Sequence, residues 1–159
     1  MDAGNVGDTA WLTSEQQATW RLWLNSGSNV HAELARQLQT ESNISFPDYE
    51  VLVQLSESAE QRLRMLALAD SLHWDRSRLS HQITRMCKRG LVRRELCDDD
   101  RRGAYVALEP EGLKTLQDAA PGHVRKVREL LMAPLTEEEF SQLGVLLGKI
   151  HARFEESDS

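Results

Sequence analysis

Leu66–Leu108 reads LALADSLHWDRSRLSHQITRMCKRGLVRRELCDDDRRGAYVAL, and this stretch decides the fold. Apolar spacing predicts a short helix over Met65 to Leu72, followed by a turn at His73-Trp74. Asp75 is placed to cap a further helix from Arg76 to Arg89, since a short acceptor side chain satisfies an orphan N–H in the first turn. Gly90 falls where a left-handed C-terminal cap is expected. Leu91 to Leu96 and Ala104 to Leu108 then read as two strands of a hairpin, with CDDDRRG at its tip.

The helix over Arg76 to Arg89 is two-faced. At 100° per residue Leu79, Ile83 and Met86 share one side, with Cys87 at its edge. Ser77, Arg78, His81, Thr84, Arg85 and Lys88 lie opposite. That second face is rich in donors and holds no acid. Guanine N7 and O6 and the phosphates are all acceptors, so such a face suits the major groove of duplex DNA. A solvated basic face is the bland alternative. The preceding short helix, tight turn and following hairpin favour DNA, because together they make a helix-turn-helix with a wing.

The tip carries Asp98, Asp99 and Asp100 directly before Arg101 and Arg102. A carboxylate two residues from an arginine can hold its guanidinium extended, and an extended arginine suits a narrow minor groove of strongly negative potential. A solvated acidic turn beside two unrelated arginines is the competing reading.

Charge supports a display on one side. The 159 residues carry a formal net charge of -6, which by itself argues against a nucleic-acid partner. From Arg62 to Gly103, however, eleven Arg and Lys face six Asp and Glu, whereas the remainder holds eight basic and nineteen acidic residues. An acidic body repels phosphates, so the basic segment is expected to project from it.

Working outward, Trp11 to Thr40 predicts one long helix. Thr13 or Ser14 is placed to cap it, with Gln16 or Gln17 three residues on. Trp20, Leu24, His31, Leu34, Ala35 and Leu38 fall near one stripe, and Gly27 interrupts without ending it. Phe46-Pro47-Asp48 starts a second helix, with Pro47 tolerated in the first turn. Pro110 starts a fifth, which Pro121-Gly122 is expected to kink or break. Thr136 and Glu139 form a capping box for the last helix, to about Phe154, with Leu135 and Phe140 placed as a hydrophobic staple. The ends, MDAGNVGDTA and EESDS, are small and polar and expected to be disordered.

The expected fold is mainly α with a small β-hairpin wing. A winged helix-turn-helix lobe spans about 46–109. A helical dimerisation region spans about 11–40 and 110–155, and residues 11–159 form one domain behind a disordered 1–10. The first and last helices carry more apolar positions than a small lobe can cover, which argues for a second subunit.

Several motifs carry a family resemblance. They are Asp48-Tyr49-Glu50-Val51-Leu52, Leu68-Ala69, Ser77-Arg78-Leu79-Ser80-His81, Arg89-Gly90-Leu91-Val92-Arg93-Arg94, Asp100-Arg101-Arg102-Gly103 and Val106-Ala107-Leu108. Through them the chain resembles the multiple antibiotic resistance regulator (MarR) family of winged helix-turn-helix transcription factors, from about residue 14 to 152. The resemblance implies an obligate homodimer with intertwined first and last helices, bound to a pseudo-palindromic operator in promoter DNA, and usually a repressor. It implies residues 76 to 89 as the recognition helix and Asp100 orienting Arg102 at the wing tip. It also implies a small aromatic or phenolic effector bound in a cleft that Trp20, Trp23, His31 and Tyr49 would line, although core or interface packing explains each of these residues singly. One departure is Glu109, where relatives often carry a capping Thr before the fifth helix.

Other chemistries find little support. The sequence holds no nucleophile elbow, phosphate-binding Gly loop or His-x-x-Glu-His element. Cys87 and Cys97 have nine residues between them, outside zinc-knuckle spacing, and no two histidines lie three to five apart. No catalytic residue, metal or cofactor is expected. Cys97 neighbours Arg93, Arg94, Arg101 and Arg102, and positive charge lowers a thiol pKa. A redox-responsive regulator through Cys97 is therefore the alternative to a small strand residue beside the wing. Two cysteines make no disulfide framework, and no signal pattern or membrane-length apolar run is read, so the expected location is cytoplasmic, away from membranes.

Overall fold

A computed structural model describes residues 10–96 and 103–155. The chain divides into two compact units, one ending at Glu33 and the other beginning at Leu34. Helix α1, Ser14–Ser42, runs through that division as one continuous helix. Its start is a reciprocal cap: Gln16 N–H donates to Thr13 Oγ1 at 3.2 Å, and Thr13 N–H donates to Gln16 Oε1 at 2.9 Å. The capping pair is thus Thr13 and Gln16, and Trp11 lies before the helix.

The second unit opens at Leu34. After α1 come α2 (Phe46–Glu57), β1 (Arg62–Arg64), α3 (Met65–Leu72), α4 (Arg76–Lys88), β2 (Val92–Leu96), β3 (Ala104–Leu108), α5 (Pro110–Val127) and α6 (Glu137–Glu155). Helix α2 begins at Ser45, whose Oγ accepts from Asp48 N–H while Asp48 Oδ2 accepts from Ser45 N–H, a second capping box. The α3–α4 turn is tight because His73 adopts a left-handed conformation at φ 54°. Asp75 caps α4 through Arg78 N–H at 2.8 Å, and Gly90 takes φ 73° beyond its end. A residue with a Cβ pays roughly 1–2 kcal/mol in that region, which is why glycine belongs there.

The sheet has three antiparallel strands in the order β1-β3-β2. Val106 at the centre of β3 faces Leu63 on one side and Arg94 on the other. Sequence reading expected only the hairpin. Arg62-Leu63-Arg64 is too short to show a period of two, and its pairing partner lies more than forty residues away. Leu52, Leu55, Leu68, Leu79, Ile83, Met86 and Val106 are wholly buried in one core, so α2, α3 and α4 close over one face of this sheet. Each such side chain contributes about 1.5–3 kcal/mol by leaving water.

Helix α5 starts at Pro110 behind Glu109, which makes no side-chain cap. A Cβ on Gly112 would collide with the Leu91 carbonyl oxygen, so a glycine here lets α5 press against the α4–β2 junction. Of the expected kink or break at Pro121-Gly122, the break does not occur: α5 continues through Pro121. Ala119 is buried with Leu38 and Ile44, and Gly122 is buried beside Gln37 and Glu41, so packing on both sides of the proline holds the helix through it. The helix instead loosens later, into a π-helical turn over Arg128–Met132. Helix α6 begins with the expected capping box, Thr136 with Glu139. Leu135 and Phe140, the expected staple, line one surface cleft. No helix among the described residues is long and apolar enough to cross a membrane.

Candidate nucleic-acid interface

Helix α4 divides as its spacing predicts. Leu79, Ile83 and Met86 are fully buried, while Ser77, Arg78, His81, Thr84, Arg85 and Lys88 are all exposed. The structure therefore brings every sequence-predicted residue of this helix onto one open face. Several are already oriented. The Arg78 guanidinium lies 4.1 Å from the centre of the Trp74 ring, and such stacking restrains an arginine without neutralising it. Thr84 donates to the Ser80 carbonyl at 2.9 Å.

Strand β2 adds a donor that sequence reading did not assign. Arg94 Nη2 reaches Ser80 O at 2.9 Å, Ser80 Oγ at 3.2 Å and Thr84 Oγ1 at 3.1 Å, so its cation lies along the exposed side of α4. Adjacent residues of a strand point to opposite faces. Arg93 accordingly turns the other way, to Glu95 Oε1 at 2.5 Å and Glu109 Oε1 at 3.4 Å. The strand alternation in RRE was the available signal; which face met α4 was not.

The basic segment thus sorts into two groups. Arg62 is paired with Glu60 at 2.6 Å and Glu95 at 3.3 Å, and Arg93 with Glu95 and Glu109. The hydrogen bond from Arg93, then that from Arg62, hold the Glu95 carboxyl below its ordinary range despite some burial. Arg78 and Arg94, on the α4 side, meet a ring and hydroxyls instead. Glu60, Glu95 and Glu109 are thus taken up by Arg62 and Arg93, on the side of the strand pair away from Arg94.

Arg85 and Arg89 belong to a polar network at the other end of α4. Arg85 Nη2 donates to Gln82 Oε1, Gln82 Nε2 donates to Asp48 Oδ1 at 2.6 Å, and Arg89 Nη1 donates to Asp48 Oδ2 at 2.6 Å. Arg89 also donates to the Asn43 carbonyl at 2.9 Å. Gln82 and Asp48 are buried polar residues, and sequence reading assigned neither. The wing-tip residues Asp100, Arg101 and Arg102, with Asp98, Asp99 and Cys97, lie outside the described residues. Cys87 is a half-buried free thiol.

Of the residues named for an effector cleft, Trp20, Trp23 and His31 belong to the first unit and are exposed. Trp20 lines an apolar surface cleft of about 520 Å³ with Trp11, Leu12 and Leu24. Tyr49 belongs to the second unit and is half-buried, with its ring 4.3 Å from that of His123 and its hydroxyl pKa raised by burial. His123, which no spacing in the sequence singles out, has its pKa lowered by burial, and its buried Nδ1 meets no hydrogen-bond partner among the described residues.

A short helix, a left-handed turn, a two-faced helix with basic outer side chains, and a hairpin behind them define a winged helix-turn-helix DNA-binding protein. The sequence profile of the MarR family matches residues 44–103. The chain is similar over its length to AbsC, a MarR family transcriptional regulator from Streptomyces coelicolor, at 41% identity and a TM-score of 0.86, covering 92% of this chain and 99% of that one. It is similar to Sco3205, another MarR family transcriptional regulator from S. coelicolor, seen in complex with DNA, at 40% identity and a TM-score of 0.85, covering 90% of each chain. A mutant MarR from Escherichia coli complexed with operator DNA shares the fold, at 23% identity and a TM-score of 0.77, covering 89% of this chain and 99% of that one. No curated protein sequence matches significantly. The chain belongs to the MarR family of transcriptional regulators.

Proposed function

We propose that the protein is a homodimeric repressor that reads a pseudo-palindromic operator in promoter DNA and is released by a small aromatic or phenolic effector. One observation carries the DNA reading: the exposed face of α4, acid-free and donor-rich, opposite a fully buried apolar face. The 40% identical Sco3205 in complex with DNA supports it. Ser77, Arg78, His81, Thr84, Arg85 and Lys88 enter the major groove, and Arg101 and Arg102, with Asp100 orienting Arg102, serve the minor groove. Phosphate contacts supply most of the affinity and base edges the specificity.

The homodimer reading rests on apolar surface. Trp11, Leu22, Trp23 and Leu24 of the first unit, and Val145, Leu146, Ile150 and Phe154 of α6, are all exposed. A second copy of the chain would cover these faces. For the effector, Trp20, Trp23 and His31 of the first unit and, separately, Tyr49 of the second offer aromatic and polar side chains of the kind a phenolic ring requires.

The test is DNA selection. Genomic fragments retained by the full-length protein should share an inverted-repeat sequence. Affinity for that sequence should fall roughly a thousandfold or more between about 50 and about 200 mM salt, if about six phosphates are neutralised. His81→Ala should change base preference by roughly 1–3 kcal/mol, and Lys88→Ala should weaken all sequences alike. A retained pool without shared sequence, or a salt-indifferent isotherm, would sink the reading.

A further inference from the structure

The Asp48 side chain is 4% exposed, yet it does more than cap α2. Capping needs its contact with Ser45 N–H at 2.9 Å. Its other contacts go to α4, to Gln82 and Arg89, 34 and 41 residues further along the chain. A carboxylate accepts and does not donate, so Gln82 must turn its amide nitrogen inward. That leaves the Gln82 carbonyl oxygen facing outward, and it accepts from Arg85 Nη2. The order of carboxylate, amide and guanidinium is thus set by donor and acceptor chemistry, beginning at the buried acid.

Arg85 is exposed, and Gln82 takes one of its five donors. Asp48, Gln82, Arg85 and Arg89 line one open cleft of about 480 Å³ beside the α1–α2 turn, so the guanidinium is restrained at the edge of open space rather than packed away. Arg89 ties the end of α4 to the same carboxylate and to the turn at Asn43.

We propose that Asp48 is a positioning residue for sequence readout: through Gln82 it fixes the pose of Arg85, and through Arg89 it holds the end of the recognition helix, without touching DNA itself. This rests on the DNA-reading role of α4 proposed above. A side chain held before binding loses less rotamer freedom when it meets a base edge, so the restraint sharpens preference at the base pair Arg85 reads.

The discriminating change is Asp48→Asn. Its amide keeps an acceptor for Ser45 and Arg89 but turns a donor toward Gln82. Gln82 must then flip, presenting its own N–H groups to Arg85 and releasing it. Binding is measured on the operator recovered by genomic selection and on a set carrying every single-base change in one half-site, with the full-length dimer. Arg85→Ala should relax preference at one or two positions. Asp48→Asn should relax the same positions roughly tenfold and leave those altered by His81→Ala unchanged. The double change should relax them no further than Arg85→Ala alone, because the two act as a unit. Gln82→Met, which removes the relay while keeping an unbranched side chain on the helix, should reproduce the pattern and serves if Asp48→Asn does not fold. A uniform loss on all sequences from both relay variants would make the network merely structural and overturn the proposal. Unchanged preference in Arg85→Ala would overturn it too, whereas failure of the wild type to select any sequence would overturn the DNA reading itself.

Discussion

Helices α4 and α6 are both amphipathic, yet among the described residues only α4 has its apolar side fully covered. Ile83 of α4 is 0% exposed, whereas Ile150 of α6 is 50% exposed and Phe154 66%. The apolar residues of α4 have α2, α3 and the sheet over them. On α6, Leu143 and Leu147 are half-buried, while Val145, Leu146, Ile150 and Phe154 remain exposed. Helix α4 is therefore finished by intramolecular packing, while the last helix has apolar surface to offer a second molecule. This contrast separates the part of the molecule proposed to present side chains to DNA from the part proposed to pair two such lobes.

The largest expected effect breaks that contrast at α6. Leu146→Glu combined with Ile150→Glu would place two carboxylates in the proposed subunit interface, at a cost of several kcal/mol, about 3 or more. Sedimentation at micromolar concentration should show loss of the dimer, together with loss of cooperative operator binding. An intact dimer would show that this face of α6 lies outside the interface. Next in size is Ile83→Ala on α4, which removes buried methylene and methyl groups and leaves a cavity, costing about 2–5 kcal/mol. Its signature is a lower denaturant midpoint with unchanged sedimentation of the folded protein. A change in subunit mass under native conditions would contradict the view that α4 is closed within one chain.

Gly90→Ala sharpens the comparison at the end of α4. The residue holds φ 73° with open space where a Cβ would go, so the cost is backbone strain alone, about 1 kcal/mol in chemical denaturation. A neutral result would mean that the α4–β2 turn relaxes to another conformation.

The smallest effect concerns pH. Burial lowers the His123 pKa from its usual 6.5. The unfolded chain then binds a proton that the folded chain resists. Stability contributed by the neutral ring is present above about 6.5 and is lost as pH falls toward the lower folded value. His123→Phe should flatten the stability–pH curve just below 6.5, measured by thermal unfolding, whereas an unchanged curve would assign that slope to other groups.

Much of the DNA-binding lobe was legible because its signals are local. Asp75 and Gly90 mark the ends of α4, and the period of Leu79, Ile83 and Met86 marks its inner face. Each of these depends on residues within a turn or two. Thr13 with Gln16 and Thr136 with Glu139 announce α1 and α6 in the same way. The wing-tip roles assigned to Asp100 and Arg102 lie outside the described residues and stay with the proposed operator contacts.

What the sequence by itself determined is therefore the order of the helices, the two-sided character of α4 and the concentration of positive charge around it. Tertiary structure alone decided the rest. Strand β1 exists because β3 offers it an edge. Pro121 stays inside α5 because Ala119 and Gly122 are packed on either side of it. Arg62 and Arg93 are matched to carboxylates while Arg94 lies along α4, a division invisible in a run of like charges. Asp48 meets Gln82 and Arg89 only once α2 and α4 are folded together. Caps and periodicities act over a few residues and can be read from the chain, whereas the partner of a charge or of a strand edge is chosen by which distant segment folding brings beside it.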